Sequence, residues 1–307
     1  MEKNRLLIIL GATASGKTKL AVRLAEKLNG EIISADSRQV FRKMDIGTGK
    51  DLAEYHIRGV EIPYHLINIL EPGDRYNVDA FKNDFFNAYA SITEKGKLPI
   101  LCGGTGMYIH SLLQNQRYTA VPVNSALRIQ LDFLNKEELI NHLRKYPEEL
   151  SKHVDLSSKK RLIRALEIAE YLSHNELAPQ VRPEINPIIF GLKNEVEITR
   201  RNIIERLNLR LQHGLIDEVR DLIASGVSNE ILTFYGLEYK FIVAHLSGAL
   251  TFDELKLKLG IAICQYAKRQ NTFFRKMEKD GVIINWLDAS LPANLLEQEI
   301  LEKVLKV

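Results

Sequence analysis

Gly11-Ala12-Thr13-Ala14-Ser15-Gly16-Lys17-Thr18 is the stretch whose reading decides the fold. In front of it, Leu6-Leu7-Ile8-Ile9-Leu10 is a short apolar run that reads as a buried parallel strand. Behind it, Leu20, Ala21, Leu24, Ala25 and Leu28 recur at helical spacing, and Asn29-Gly30 supplies the stop. The order is strand, glycine loop, helix. A loop of spacing G-x-x-x-x-G-K-T can wrap a phosphate chain: Gly11 and Gly16 admit backbone angles closed to other residues, and the loop amides can turn inward. The helix N-terminus adds partial positive charge. Lys17 can reach the terminal phosphates, and the Thr18 hydroxyl can ligate Mg²⁺. All eight residues, Gly11, Ala12, Thr13, Ala14, Ser15, Gly16, Lys17 and Thr18, are therefore candidate diphosphate or nucleotide ligands. The motif specifies a phosphate site but not a reaction.

Working outward, Glu31-Ile32-Ile33-Ser34-Ala35 reads as a second strand that delivers Asp36-Ser37-Arg38-Gln39-Val40 at its end. In an open parallel sheet, ligands sit at such strand ends. Asp36 has three open readings: a second-shell Mg²⁺ partner, a proton acceptor for an incoming nucleophile, or a helix N-cap with Gln39 three residues on. Asp45-Ile46-Gly47-Thr48-Gly49-Lys50 reads as a surface turn. His65-Leu66-Ile67-Asn68 is strand-like, and Val78 to Ala90 is helical with an aromatic core stripe. Leu98 to Cys102 is a further strand, followed by Gly103-Gly104-Thr105-Gly106, which again presents amides and a hydroxyl at the ligand edge. From 111 to 184 clear strands vanish and charged helices take over, the best stretches being Leu127 to Leu143 and Lys159 to Leu172. This segment reads as an insertion into a core formed by 1–110 and 185–307. The fold class is α/β: a P-loop NTPase-like parallel sheet flanked by helices, with an inserted, mainly helical subdomain. Past the insertion, Arg200, Arg201, Arg206, Arg210 and Arg220 make two helices basic, and Thr251 to Glu254 is a capping box opening a long helix that carries Lys268-Arg269-Gln270.

Bulk composition narrows the class. With 307 residues, 45% hydrophobic and 26% charged, the chain suits a soluble globular protein of one large or two smaller domains. A net charge of +3 neither demands nor excludes a nucleic acid, which would need a locally basic surface. The two cysteines, Cys102 and Cys264, suit a reducing cytosol and leave no zinc-binding set. The apolar run at the start is too short for a signal peptide or a membrane span. A cytoplasmic location, no membrane and no obligate protein partner are expected.

Several stretches, in order, resemble the bacterial tRNA dimethylallyltransferases, or tRNA isopentenyltransferases, over nearly the full length. They are the loop from Gly11, Asp-Ser-Arg-Gln-Val from Asp36, Asp-Ile-Gly-Thr-Gly-Lys from Asp45, Gly-Gly-Thr-Gly-Met-Tyr from Gly103, Lys-Arg-Leu-Ile-Arg-Ala-Leu-Glu from Lys160, Gly-Leu-Ile-Asp-Glu-Val-Arg from Gly214 and Ala-Lys-Arg-Gln from Ala267. The resemblance implies transfer of a dimethylallyl group from dimethylallyl diphosphate to N6 of the adenosine immediately 3′ of the tRNA anticodon. It implies Asp36 as the base, Thr105 near both the diphosphate and the amine, Arg220 on the leaving diphosphate with Lys17, and Mg²⁺ at Thr18. For tRNA it implies Asp36, Ser37, Arg38, Gln39 and Thr105 around the extruded base. Arg128, the run Lys160, Arg161, Leu162, Ile163 and Arg164, and the run Lys268, Arg269 and Gln270 are the candidates for the RNA backbone. The insertion is expected at the anticodon arm. Two departures stand out: Ala12 replaces the usual Pro, and Leu237-Glu238 stands where many relatives carry Tyr followed by Arg or Lys. The competing readings are an adenylate isopentenyltransferase acting on free AMP, ADP or ATP, a P-loop small-molecule kinase, and a nucleotide-gated RNA-binding module.

Overall fold

The computed structural model describes residues 4–114, 116–151, 154, 156–178 and 181–305. They form two compact units, one of residues up to Leu113 together with Pro183 onward, the other Gln114–Arg182.

The first unit holds strands β1 (Arg5–Gly11), β2 (Gly30–Ser34), β3 (His56–Ile57), β4 (Val60–Glu61), β5 (Tyr64–His65), β6 (Leu98–Gly103), β7 (Asn186–Lys193) and β8 (Asn285–Asp288). Six of them make a sheet of order β5-β2-β6-β1-β7-β8, every pair parallel, while β3 and β4 form a small antiparallel hairpin. Leu6 to Leu10 are buried on both faces, as a central parallel strand requires. In chain order the helices are α1 (Lys17–Leu28), α2 (Val78–Glu94), α3 (Gly106–Leu113), α4 (Ser125–Asp132), α5 (Lys136–Leu143), α6 (Glu148–Ser151), α7 (Lys159–His174), α8 (Val196–Gln212), α9 (Leu215–Ala224), α10 (Asn229–Tyr235), α11 (Leu237–Leu246), α12 (Phe252–Lys279) and α13 (Ala293–Leu305). On one face of the sheet, Phe81, Phe85, Tyr108 and Phe274 from α2, α3 and α12 form the core. On the other, α1 and α13 contribute Leu20, Leu24, Leu296 and Ile300. Each such side chain contributes about 1.5–3 kcal/mol by leaving water. A third cluster joins Val40, Phe41 and Met44 to helices α8 to α12.

Register decides where the loops emerge. Leu10 sits opposite Gly103, and Ser34 opposite Cys102, so β1, β2 and β6 end at one edge. Gly103 packs so closely on the Ala35 backbone that a Cβ there would collide with it. One sequence expectation needs correction and another holds. The strand-like 65–68 stretch stops at His65, because Leu66 and Asn68 take left-handed φ of 63° and 57°. Thr251 does open α12 with a capping box.

In the second unit the expected helix from Leu127 to Leu143 is two. Asn135 accepts from the Glu138 amide while the Glu138 carboxylate accepts from the Asn135 amide, and that capping box starts α5 afresh. Leu131, Leu139, Leu143, Leu162, Ile163 and Leu166 form its core. Leu162 and Ile163 are thus removed from any RNA surface, because the apolar stripe of α7 turns inward. Arg128 donates through Nε and Nη2 to the buried Glu167 carboxylate at 2.7 and 2.6 Å. Arg164 joins the same carboxylate at 3.2 Å and donates to the Val121 and Tyr118 carbonyls at 2.7 and 3.2 Å, so it braces the unit. Burial alone would raise the Glu167 pKa. The hydrogen bonds from Arg128, the Asn124 amide and Arg164 outweigh it and hold the carboxyl below its ordinary range. Lys160 and Arg161 lie on the exposed side of α7.

Candidate active site

At the carboxyl edge of the first unit's sheet lies a cleft of about 450 Å³. Its floor is the loop after β1. Gly16 takes φ +82°, a left-handed angle that suits glycine, and caps α1, so Lys17 opens the helix. The Lys17 ammonium donates to the Ala12 carbonyl at 3.4 Å. Burial pushes its pKa below the ordinary lysine range, against the pull of acidic groups that include Asp36. Thr13 to Thr18 line the cleft, and the Ser15 hydroxyl is buried without a hydrogen-bond partner.

The second wall is Asp36 to Gln39. Asp36 Oδ1 accepts from the Arg38 amide at 2.9 Å, closing an Asx turn, and no helix follows. The N-cap reading of Asp36 therefore falls. Gln39 bridges the Ser34 hydroxyl at 2.9 Å and the Gly49 carbonyl at 3.1 Å. Thr105 hydroxyl oxygen accepts from the Ser37 amide at 3.2 Å, which ties the glycine turn after β6 to this wall.

Asp45 to Lys50 is no surface turn. The Glu218 carboxylate accepts from the amides of Asp45, Ile46 and Gly47 at 2.7, 2.6 and 3.0 Å and from the Tyr239 hydroxyl at 2.8 Å. Lys50 is 1% exposed and donates to Asp45, Asn68 and the Phe41 carbonyl. Burial, partly offset by Asp45, lowers its pKa. Helical periodicity contains no sign of this lock, since a lysine normally reads as surface.

Cations on the far wall differ from the expectation. Arg220 is exposed on the outer side of α9, paired with Asp217, and does not line the cleft. The buried stripe of α9 is Leu215, Val219 and Leu222, which turns Arg220 away. Arg206 and Arg210 of α8 line it instead. Arg206 donates to the Gly49 carbonyl at 3.3 Å and pairs with Asp51. Arg210 Nε and Nη2 are buried with no partner, and Glu238 stands 3.9 Å from its Nη1. Burial, then Arg206, lowers the Arg210 pKa, and burial raises that of Glu238. A buried guanidinium with unmet donors calls for an anion. Arg206 and Arg210 were legible only as part of a basic stretch.

Gln270 is the remaining correction. It is 8% exposed, its Oε1 accepts from the Thr13 amide at 2.9 Å, and its Nε2 donates to the Gly104 carbonyl at 2.9 Å. It is an internal strut between the two glycine loops, although it also borders the cleft. Lys268 and Arg269 are exposed on α12, with Arg269 5.9 Å from the Tyr266 ring. Ile263, Leu237 and Tyr266 add apolar lining.

Among the described residues no cluster of three His, Cys, Asp or Glu side chains can hold a metal. No described helix is long and apolar enough to cross a membrane.

Residues 39–277 match the family model described as IPP transferase. The chain is 50% identical over 292 residues to tRNA dimethylallyltransferase 2 of Phocaeicola vulgatus, covering 95% of each. Among solved structures it is similar to the tRNA delta(2)-isopentenylpyrophosphate transferase of Staphylococcus epidermidis, with a TM-score of 0.70, 32% identity and 99% of both chains covered. The tRNA isopentenylpyrophosphate transferase of Bacillus halodurans gives a TM-score of 0.73 at 31% identity, with 99% of this chain and 96% of that one covered.

Proposed function

Because this chain belongs to the IPP transferase family, we propose that it transfers a dimethylallyl group from dimethylallyl diphosphate to N6 of the adenosine immediately 3′ of the anticodon in tRNA. The observation that carries the reading is the meeting, in one cleft, of the phosphate loop, the Arg210 guanidinium, whose Nε and Nη2 have no hydrogen-bond partner, and Asp36.

The amides of the loop, Lys17, Arg206 and Arg210 take the diphosphate. The N6 lone pair forms a bond to C1 of the donor while the C1–O bond breaks and its electron pair leaves on the diphosphate. Charge therefore develops on groups already faced by fixed cations and amides. Asp36 accepts the proton that the amine loses, and a positioned carboxylate supplies about 10²–10⁴ in rate. Thr105 holds the Ser37 amide and with it the turn that carries Asp36. Bound Mg²⁺ at Thr18 would screen the diphosphate charge. Ser37 and Arg38 meet the extruded base, and Lys160, Arg161, Lys268 and Arg269 meet the RNA backbone by charge.

The test is mass spectrometry of tRNA nucleosides after reaction with the purified protein and dimethylallyl diphosphate, with AMP and a labelled-ATP kinase assay as parallel arms. Prenylated adenosine in tRNA, absent from the AMP arm and falling at least 100-fold in Asp36→Asn, is the expected result. Prenylated AMP alone, or phosphoryl transfer, overturns it.

A further inference from the structure

Beside Arg38 of the cleft wall stands an aromatic side chain, Phe234, to which the reaction gives no part. Phe234, the penultimate residue of α10, is 71% exposed, while its neighbours Leu232 and Tyr235 are buried. The Arg38 guanidinium carbon lies 5.3 Å from the centre of the Phe234 ring and 5.8 Å from that of Tyr235. Arg38 Nη2 also donates to the Phe234 carbonyl at 3.0 Å, so the contact is anchored at both backbone and ring. The same Arg38 gives its amide to Asp36 at 2.9 Å and lines the cleft.

An isolated exposed phenylalanine needs no explanation by itself. This one is held beside a guanidinium whose other end is fixed to the base of the reaction. An aromatic face with a bound cation, open to water at the mouth of a purine site, matches what unpaired nucleobases stack on. We propose that Phe234 and Arg38 form a stacking shelf for a base of the anticodon loop that neighbours the extruded adenosine. The shelf rests on the reading of the reaction given above. It holds the flanking nucleotide in place once the target leaves the stack, and Arg38 adds attraction for its phosphate.

The experiment uses the full chain and an unmodified anticodon stem-loop with 2-aminopurine placed next to the target adenosine, on either side in turn. Binding is read by 2-aminopurine fluorescence, and steady-state kinetics are run on tRNA. Stacking on the parent protein should change the fluorescence at one of the two positions. In Phe234→Ala that change should vanish and the tRNA KM should rise about 5- to 100-fold, with the donor KM and the melting temperature unchanged. Phe234→Trp should restore both, and Phe234→Leu, apolar but not aromatic, should not. Unchanged fluorescence and tRNA KM in Phe234→Ala, or full rescue by leucine, overturns the shelf. Absence of product with the parent overturns the reaction instead, and the fluorescence still decides the shelf because it needs no turnover.

Discussion

Replacing Gln270 by Leu separates two roles for this residue. In the structure its amide joins the Thr13 N–H to the Gly104 carbonyl, each at 2.9 Å. Leucine fills the space and meets neither group. A buried polar group left without a partner costs about 1–3 kcal/mol. Gly104 is buried and bears its full share, whereas Thr13 borders the cleft and can regain a water, so its share lies at the low end. The sum is about 2–4 kcal/mol of stability, or about 3–6 °C in Tm for a chain of this length. The phosphate loop also loses the strut that holds one of its amides. If ordering it at binding costs about 1–2 kcal/mol, the KM for dimethylallyl diphosphate rises roughly 5- to 30-fold. The tRNA KM should stay within about twofold, since the side chain faces the loops rather than the helix exterior. Differential scanning fluorimetry and initial rates with each substrate varied in turn check both numbers. A variant with parental Tm and donor KM but a raised tRNA KM would refute the strut.

Other outcomes follow from the same geometry. Arg210→Gln should weaken inorganic diphosphate binding about tenfold or more, read by calorimetry, while Arg220→Gln should leave it within about twofold, because only the first guanidinium lines the cleft. Glu31 is 1% exposed among Lys97, His65 and Lys95. Burial alone would raise its pKa, but those hydrogen bonds outweigh it and hold the carboxyl at about 2 instead of 4.5. A depressed carboxyl stabilises the fold above its unfolded pKa and loses that contribution as pH falls through the folded one. Glu31→Gln should therefore be less stable by up to about 3 kcal/mol at pH 7, and urea titrations should show the gap closing between about pH 4.5 and pH 2.

What could be read in advance follows from local rules. The apolar run before Gly11, the loop spacing and the helical pattern after it are set by neighbours in the chain, so strand, phosphate loop and parallel sheet were legible. Asp36 and Gly103 were legible as strand-end positions, because a parallel sheet gathers such ends at one edge. Periodicity could say that α7 and α8 have two faces, but not which partner each face meets. Hence Leu162 read as an RNA contact and lies in the core, the Glu167 partner of Arg128 could not be read, and Arg220 read as the diphosphate cation while Arg206 and Arg210 line the wall. Lys50, Glu218 and Gln270 are the sharpest cases. Lys50 turns back on its own loop and on Asn68, while Glu218 and Gln270 find their partners on other elements, Gln270 being 166 positions from Gly104. Charge on a helix is written in the chain; whether that charge meets water, a carbonyl or a ligand depends on what the fold packs against it.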